Sequence, residues 1–222
     1  MRIFSFILLI SISFTINGQM NWKIKKPYSD YWQQEVRYSI KAKIDERKLT
    51  VGGNLELTYT NNSPDDLKEV YFHLYQNAFQ EGSYYDNLQK VNGRKPKYGL
   101  YEENGLGTKV NELTSSNEID TVIYDNTIMK VILKKPIRSE QSIVFNIKFQ
   151  TYWGSGSSRR RMKAYYVEGK NIHFNGVHWY PRIAVYDQKF GWNTNQHLDK
   201  EFYGDFGTFD VELNFANDYI VE

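Results

Sequence analysis

The sequence predicts an all-β domain: an antiparallel, curved (saddle-like) β-sandwich carrying a long irregular insertion. Three observations lead there. Apolar residues recur at every second position in one segment after another, the period of a strand with one wet face. Turn signals separate these segments at short intervals. Tyr (18) and Phe (13) are abundant among the 222 residues, and both favour strands.

The elements follow in order. Val36, Tyr38, Ile40, Ala42 and Ile44 alternate with Arg37, Ser39, Lys41, Lys43 and Asp45. Glu46-Arg47-Lys48 is the turn into a second strand, with Val51, Leu55, Leu57 and Tyr59 on its apolar face. Gly52-Gly53 inside that strand predicts a bend or bulge. Asn61-Asn62-Ser63-Pro64-Asp65-Asp66 is a turn signal, and Val70, Phe72 and Leu74 form a third strand. From Asn77 to about Asn117 the chain is rich in Gly, Asn, Tyr and charge. It reads as a surface insertion with a short strand around Thr108 to Leu113. Val122 and Tyr124, an Asp125-Asn126 turn, then Met129, Val131 and Leu133 restore the alternation, and Pro136 closes that strand. Ile143, Phe145, Ile147 and Phe149 make another strand; Phe209, Val211, Leu213 and Phe215 make the last. After the N-terminal leader, no segment shows a helical period.

The leader is distinctive. Met1-Arg2 precedes an apolar run from Ile3 to Phe14, and Thr15 to Gln19 is mostly small and polar. That is the layout of a secretory signal peptide over residues 1–19, too short to span a bilayer as a mature helix. The expected product is residues 20–222, secreted or periplasmic, with no stable membrane span. The chain has no cysteine, so it uses neither disulfides nor a lipid-anchored cysteine, and a domain of this size can rely on its core. A net charge of +2 with mixed signs offers no basic face for nucleic acid.

Catalytic constellations are missing. There is no Gly-x-Ser-x-Gly, no Gly-x-Gly-x-x-Gly and no His-Glu-x-x-His. The stretch Gly154-Ser155-Gly156-Ser157-Ser158-Arg159-Arg160-Arg161 lacks the Gly-Lys-Ser/Thr ending of a phosphate loop. Its arginines could grip an anion, but a solvated loop is the plainer reading. The densest segment is HFNGVHWYPRIAVYDQKFGWN, from His173 to Asn193. His173 and His178 are five apart, an odd offset that places them on opposite faces of a regular strand. Asn175-Gly176 between them could bend the chain. The pair reads as one surface histidine and one hydrogen-bonded in a packed wall, not as a metal site. Trp179, Tyr180, Tyr186, Phe190 and Trp192 suit either core or cleft.

This segment, with HLDKEFYGDFGTFDVELNFANDYIVE after it, resembles the N-terminal domain of the aminopeptidase N class of zinc metallopeptidases (gluzincin aminopeptidases). More narrowly, it is similar to secreted Bacteroidetes-type members. The resemblance rests on Trp179-Tyr180-Pro181-Arg182, Val185-Tyr186-Asp187, Gly191-Trp192-Asn193, Glu201 to Gly207 and Phe209-Asp210-Val211. The early YSIKAKIDERKLTVGGNLELTYTNNSPDDLKEVYFHLYQNAF is similar to the family's opening strands. It implies a saddle-shaped β domain that packs on a thermolysin-like catalytic domain bearing the zinc and the Gly-x-Met-Glu-Asn and His-Glu-x-x-His motifs. The chain reaches Ile220-Val221-Glu222 without those motifs. It therefore reads as a fragment or truncated product, inactive alone, without catalytic residues or cofactor of its own. The expected partners are the missing catalytic domain and a peptide substrate.

The resemblance also implies a strand that supplies a Gln or Glu to hold the substrate's free amine. Counting back from Asp187, that strand falls on His173-Phe174-Asn175, so Asn175 and His173 are the expected substrate-binding residues. A shifted alignment puts His178 there instead. Two other readings stay open: a stand-alone exported β domain that binds peptide or glycan through an aromatic surface, and an adaptor derived from the peptidase.

Overall fold

The first two strands, β1 (Glu35–Asp45) and β2 (Thr50–Thr60), form a hairpin paired without interruption from Glu35↔Thr60 to Asp45↔Thr50. The Asp45 carboxylate closes its turn by accepting from the amides of Arg47 (3.2 Å) and Lys48 (2.9 Å), a role suited to Asp. This is a computed structural model that describes residues 30–156, 161–166, 172–198 and 203–216. The signal peptide expected over residues 1–19 lies outside the described residues, as do Arg159 and Arg160.

The bend or bulge expected at Gly52-Gly53 is absent. Both ladders of β2 keep register through the pair. The glycines serve close approach instead. A Cβ on Gly53 would lie 2.0 Å from the Lys41 carbonyl oxygen and 2.6 Å from the Ala42 Cα.

After the turn at Asn61, β3 (Leu67–His73) belongs to a second sheet. The insertion expected over about 77–117 is more ordered than its composition implied. A 3-10 turn spans Tyr75–Phe79, followed by helices α1 (Tyr84–Val91) and α2 (Leu100–Glu103) and the strand β4 (Thr108–Ser115). Helix α1 escapes a hydrophobic-period search because its buried positions are polar. Asp86 and Gln89 face inward, while Tyr84, Leu88 and Val91 are exposed. Ser83 caps the helix, its hydroxyl accepting from the Asp86 amide at 3.0 Å. The buried Asp86 carboxylate accepts from the Gly82 amide (2.8 Å) and the Tyr98 hydroxyl (2.7 Å), and pairs with Lys90 (2.7 Å).

A tight hairpin joins β5 (Ile119–Asp125) to β6 (Ile128–Ile137) through Asn126, whose φ of 50° suits Asn. Then come β7 (Ser142–Tyr152), the short strands β8 (Lys163–Tyr166), β9 (Ile172–Asn175), β10 (Arg182–Ile183), β11 (Tyr186–Asp187) and β12 (Gly191–Trp192), and finally β13 (Thr208–Asn214). One sheet runs β13-β1-β2-β7-β4 and the other β10-β3-β6-β5; β11-β12 and β8-β9 are two-stranded ribbons.

The fold class is all-β, as predicted. The inward faces of the two sheets make one core. Val36, Tyr38, Ile40, Leu55, Leu57, Tyr59, Ile143, Phe145 and Phe149 meet Val70, Phe72, Met129, Val131 and Leu133. Phe72 and Phe145 touch edge to face across the layers, their ring centroids 5.4 Å apart. Among the described strands the ladders are antiparallel except that β13 lies parallel to β1, Arg37↔Thr208 through Lys43↔Asn214; an isolated parallel bridge also joins Gly154 to Lys163. The expected apolar face of β13 is only partly covered: Phe209 stacks on Tyr38 at 4.8 Å and Leu213 packs on the core, but Phe209 and Val211 stay 46% and 43% exposed.

Candidate functional site

The ribbon β8–β9 carries two of the three expected substrate-binding residues. Its register pairs Lys163 with Asn175 and Tyr165 with His173. Side chains alternate along a strand and directly opposed residues share a face. His173, Asn175, Lys163 and Tyr165 therefore share one face, and Ala164 and Phe174 share the other. The second face points inward: Ala164 is buried, and Phe174 packs on Trp153 at 4.9 Å. His173 is exposed and lies 6.1 Å from the Tyr165 ring, with the Lys163 ammonium 5.0 Å from that ring. The ribbon is tied to the core by the Trp153 indole, which donates to the Asn175 carbonyl at 3.1 Å.

His178 is not part of that face. β9 ends at Asn175, and after Gly176 and Val177 the chain turns inward, leaving His178 buried. Its ring lies 5.1 Å from His197, 5.3 Å from Tyr75 and 6.2 Å from Phe79. His73 stacks on the other side of this cluster, 4.9 Å from Tyr75. Burial, then the nearby His197 and Arg182, push the His73 imidazole down to about 4, against a backbone hydrogen bond with Asn193. His73 and His197 belong to the cluster although nothing in the local sequence singles them out. They are 124 positions apart in number and are brought together by β3 and by the segment after β12.

Three buried histidines do not make a metal site here. Among the described residues, no group of three or more His, Cys, Asp or Glu is placed to hold a metal ion.

Beside the cluster lies Arg182. It sits on β10, opposite His73 of β3. Its guanidinium donates to the Asp205 backbone carbonyl at 3.3 Å. It rests directly against Gly204, where a Cβ would come within 2.1 Å of Nη2. The Asp205 side chain accepts weakly from Gln33 (3.5 Å), and its Oδ2 is buried without a partner among the described residues. Desolvation pushes this carboxyl up to about 6, against the Gln33 hydrogen bond and the Arg182 charge.

The segments that carry the family resemblance are thus bound to one another. Asp187 accepts from the Lys189 and Phe190 amides (2.8 and 2.7 Å) and from the Tyr203 hydroxyl (2.7 Å). Desolvation raises the Asp187 carboxyl, but these donors outweigh it and hold the group below the usual range. Tyr186 donates to Asp65 at 2.7 Å. Trp192 packs among Tyr59, Tyr71 and Tyr186. Of the aromatics in the dense segment, Trp179, Tyr180, Tyr186 and Trp192 are packed on the core, and Phe190 is exposed.

A scan against protein-family models finds no match, and a search of curated proteins finds none. Solved structures similar to this chain include M1 zinc metallopeptidases. One from Deinococcus radiodurans is 10% identical, with 82% of this chain and 32% of that chain covered and a TM-score of 0.42. A point mutant of an M1 zinc metallopeptidase from the same organism gives 12%, 82%, 32% and 0.41. A two-domain M1 zinc metallopeptidase mutant bound to L-arginine gives 11%, 67%, 28% and 0.37. The chain spans about a third or less of the length of these structures. At such identities and scores the likeness assigns neither a family nor an activity to this chain.

Proposed function

We propose that this chain is the N-terminal, non-catalytic domain of an exported zinc aminopeptidase and that it forms one wall of the substrate cleft. Hydrolysis, the zinc and the general base belong to a catalytic domain of the parent chain, and the β domain alone is inactive. The observation that carries the reading is the outward face of β9, where His173 and Asn175 stand side by side. The Asn175 side-chain carbonyl can accept from a peptide's terminal ammonium. His178, buried among Tyr75, Phe79 and His197, supports the wall from behind.

The test has two steps. Sequencing beyond codon 222 should reveal an open frame with Gly-x-Met-Glu-Asn and His-Glu-x-x-His. In the complete enzyme, Asn175→Ala should raise KM for amino-acid amides about tenfold, the scale of one hydrogen bond to a charged group. An unchanged KM would remove Asn175 from the site.

A second reading has its own support. Tyr203, Phe206 and Phe190 are 50%, 89% and 69% exposed, an aromatic surface that suits a stand-alone binder of peptide or glycan. A stop at codon 223 together with saturable binding of either ligand would favour it.

A further inference from the structure

We infer that the small pocket beside Arg182 is a carboxylate-binding site, separate from the outward face of β9. Tyr75, Val177, His178, Tyr180 and Arg182 line it, and its volume is about 70 Å³. One water requires roughly 10–15 Å³ on that measure. The pocket therefore takes a carboxylate with a short apolar stem and nothing much larger. Of these lining residues, Val177 is 44% exposed and His178 is buried.

The unused donors of Arg182 point to an anionic acceptor. A guanidinium presents five donors. Arg182 is half-buried, yet its hydrogen bond is to the Asp205 backbone carbonyl and not to the carboxylate. Among the described residues it joins no ion pair. A partly desolvated cation with donors to spare favours an acceptor of opposite charge. Its planar fork matches a carboxylate in bidentate fashion. The cation is also held in place, by the β10–β3 pairing at one end and by Gly204 against the guanidinium at the other. Its positive field reaches the pocket walls: burial raises the phenols of Tyr75 and Tyr180, and the Arg182 charge opposes that rise in both. The aromatic rings would cover the carboxylate's apolar stem.

The experiment titrates acetate into the purified chain at constant ionic strength and follows the backbone amide resonances of residues 177–183. Saturable shifts are expected with acetate and none with acetamide, its neutral isostere. Arg182→Gln should weaken acetate binding about tenfold or more, as loss of a charge-assisted pair does, in a variant whose cooperative melting shows that it is folded. If Arg182→Gln does not fold, the acetate–acetamide contrast and the milder Tyr180→Phe variant decide. N-acetylglycine and its amide then identify the source. Tighter binding of N-acetylglycine than of acetate assigns the site to a peptide carboxyl terminus; equal binding assigns it to small free carboxylates. Equal shifts with acetamide, or full affinity in Arg182→Gln, would overturn the proposal.

Discussion

Asp205 and His73 lie near the same guanidinium, yet burial displaces them in opposite directions. The Asp205 carboxyl is pushed up from 3.8 to about 6. A raised acid binds its proton more tightly in the folded state. Its contribution is therefore fully present below about pH 4 and is lost as pH climbs through 6. His73 is pushed down from 6.5 to about 4. Its contribution is present above pH 6.5 and is lost as pH falls toward 4, because the unfolded chain takes the proton first. Between pH 7 and pH 5 the two oppose each other. Asp205→Asn should remove the compensating half. The variant should lose more stability than the parent on acidification from pH 7 to 5, read as urea midpoints at both values. Parallel pH profiles for the two proteins would show that the Asp205 carboxyl is not desolvated in the folded state.

At the scale of the element, the β1–β2–β7 ladder depends on having no side chain at Gly53. The clash met by an added Cβ is with the backbone of β1, at 2.0 and 2.6 Å, and a backbone cannot rotate aside as a side chain can. Gly53→Ala should destabilise by about 3 kcal/mol, the upper range for an overpacked site. At Gly82, with φ +78° but nothing within 4 Å, an added side chain would be strained by backbone conformation alone. Gly82→Ala should cost only about 1 kcal/mol. Chemical denaturation of both variants gives the ranking, and the reverse order would mean that β1 and β2 are farther apart than described. Helix α1 belongs to the same scale. It is built on the Ser83 cap and on the buried Asp86, with Tyr98, the Gly82 amide and Lys90 around it, so polar satisfaction rather than an apolar stripe orders it.

At the scale of the whole molecule, stability is concentrated where the two sheets face each other. Phe145 is fully buried and meets Phe72 of the opposite layer. Phe145→Ala should cost about 3–5 kcal/mol. The parallel edge strand β13 is exposed along nearly its whole length, whereas β2 and β7 sit inside the same sheet. Hydrogen exchange should therefore rank the amides of β2 and β7 as the slowest and those of β13 as the fastest of that sheet. Protection of β13 equal to that of β2 would show that another surface covers it in solution.

The sequence by itself determined the all-β class, most of the longer strands and the buried face of the central ones. A period of two is written locally: Val36, Tyr38 and Ile40 must turn one way whatever they meet. The family resemblance, not the local period, implied one strand through His173 and Asn175, and on one strand an offset of two gives them a common face. Strand direction, the role of Gly53 and the location of His178 were decided by tertiary structure alone. Alternation is the same read in either direction, so nothing local makes β13 parallel to β1. A glycine in a strand signals either a bulge or a close neighbour, and only the neighbouring backbone distinguishes them. The helix α1 was illegible because its inward residues are polar. The cluster of His73, His178 and His197, with Tyr75 and Arg182 beside it, is assembled from three distant segments. Its chemistry depends on burial and on mutual distance, neither of which is a property of any one segment.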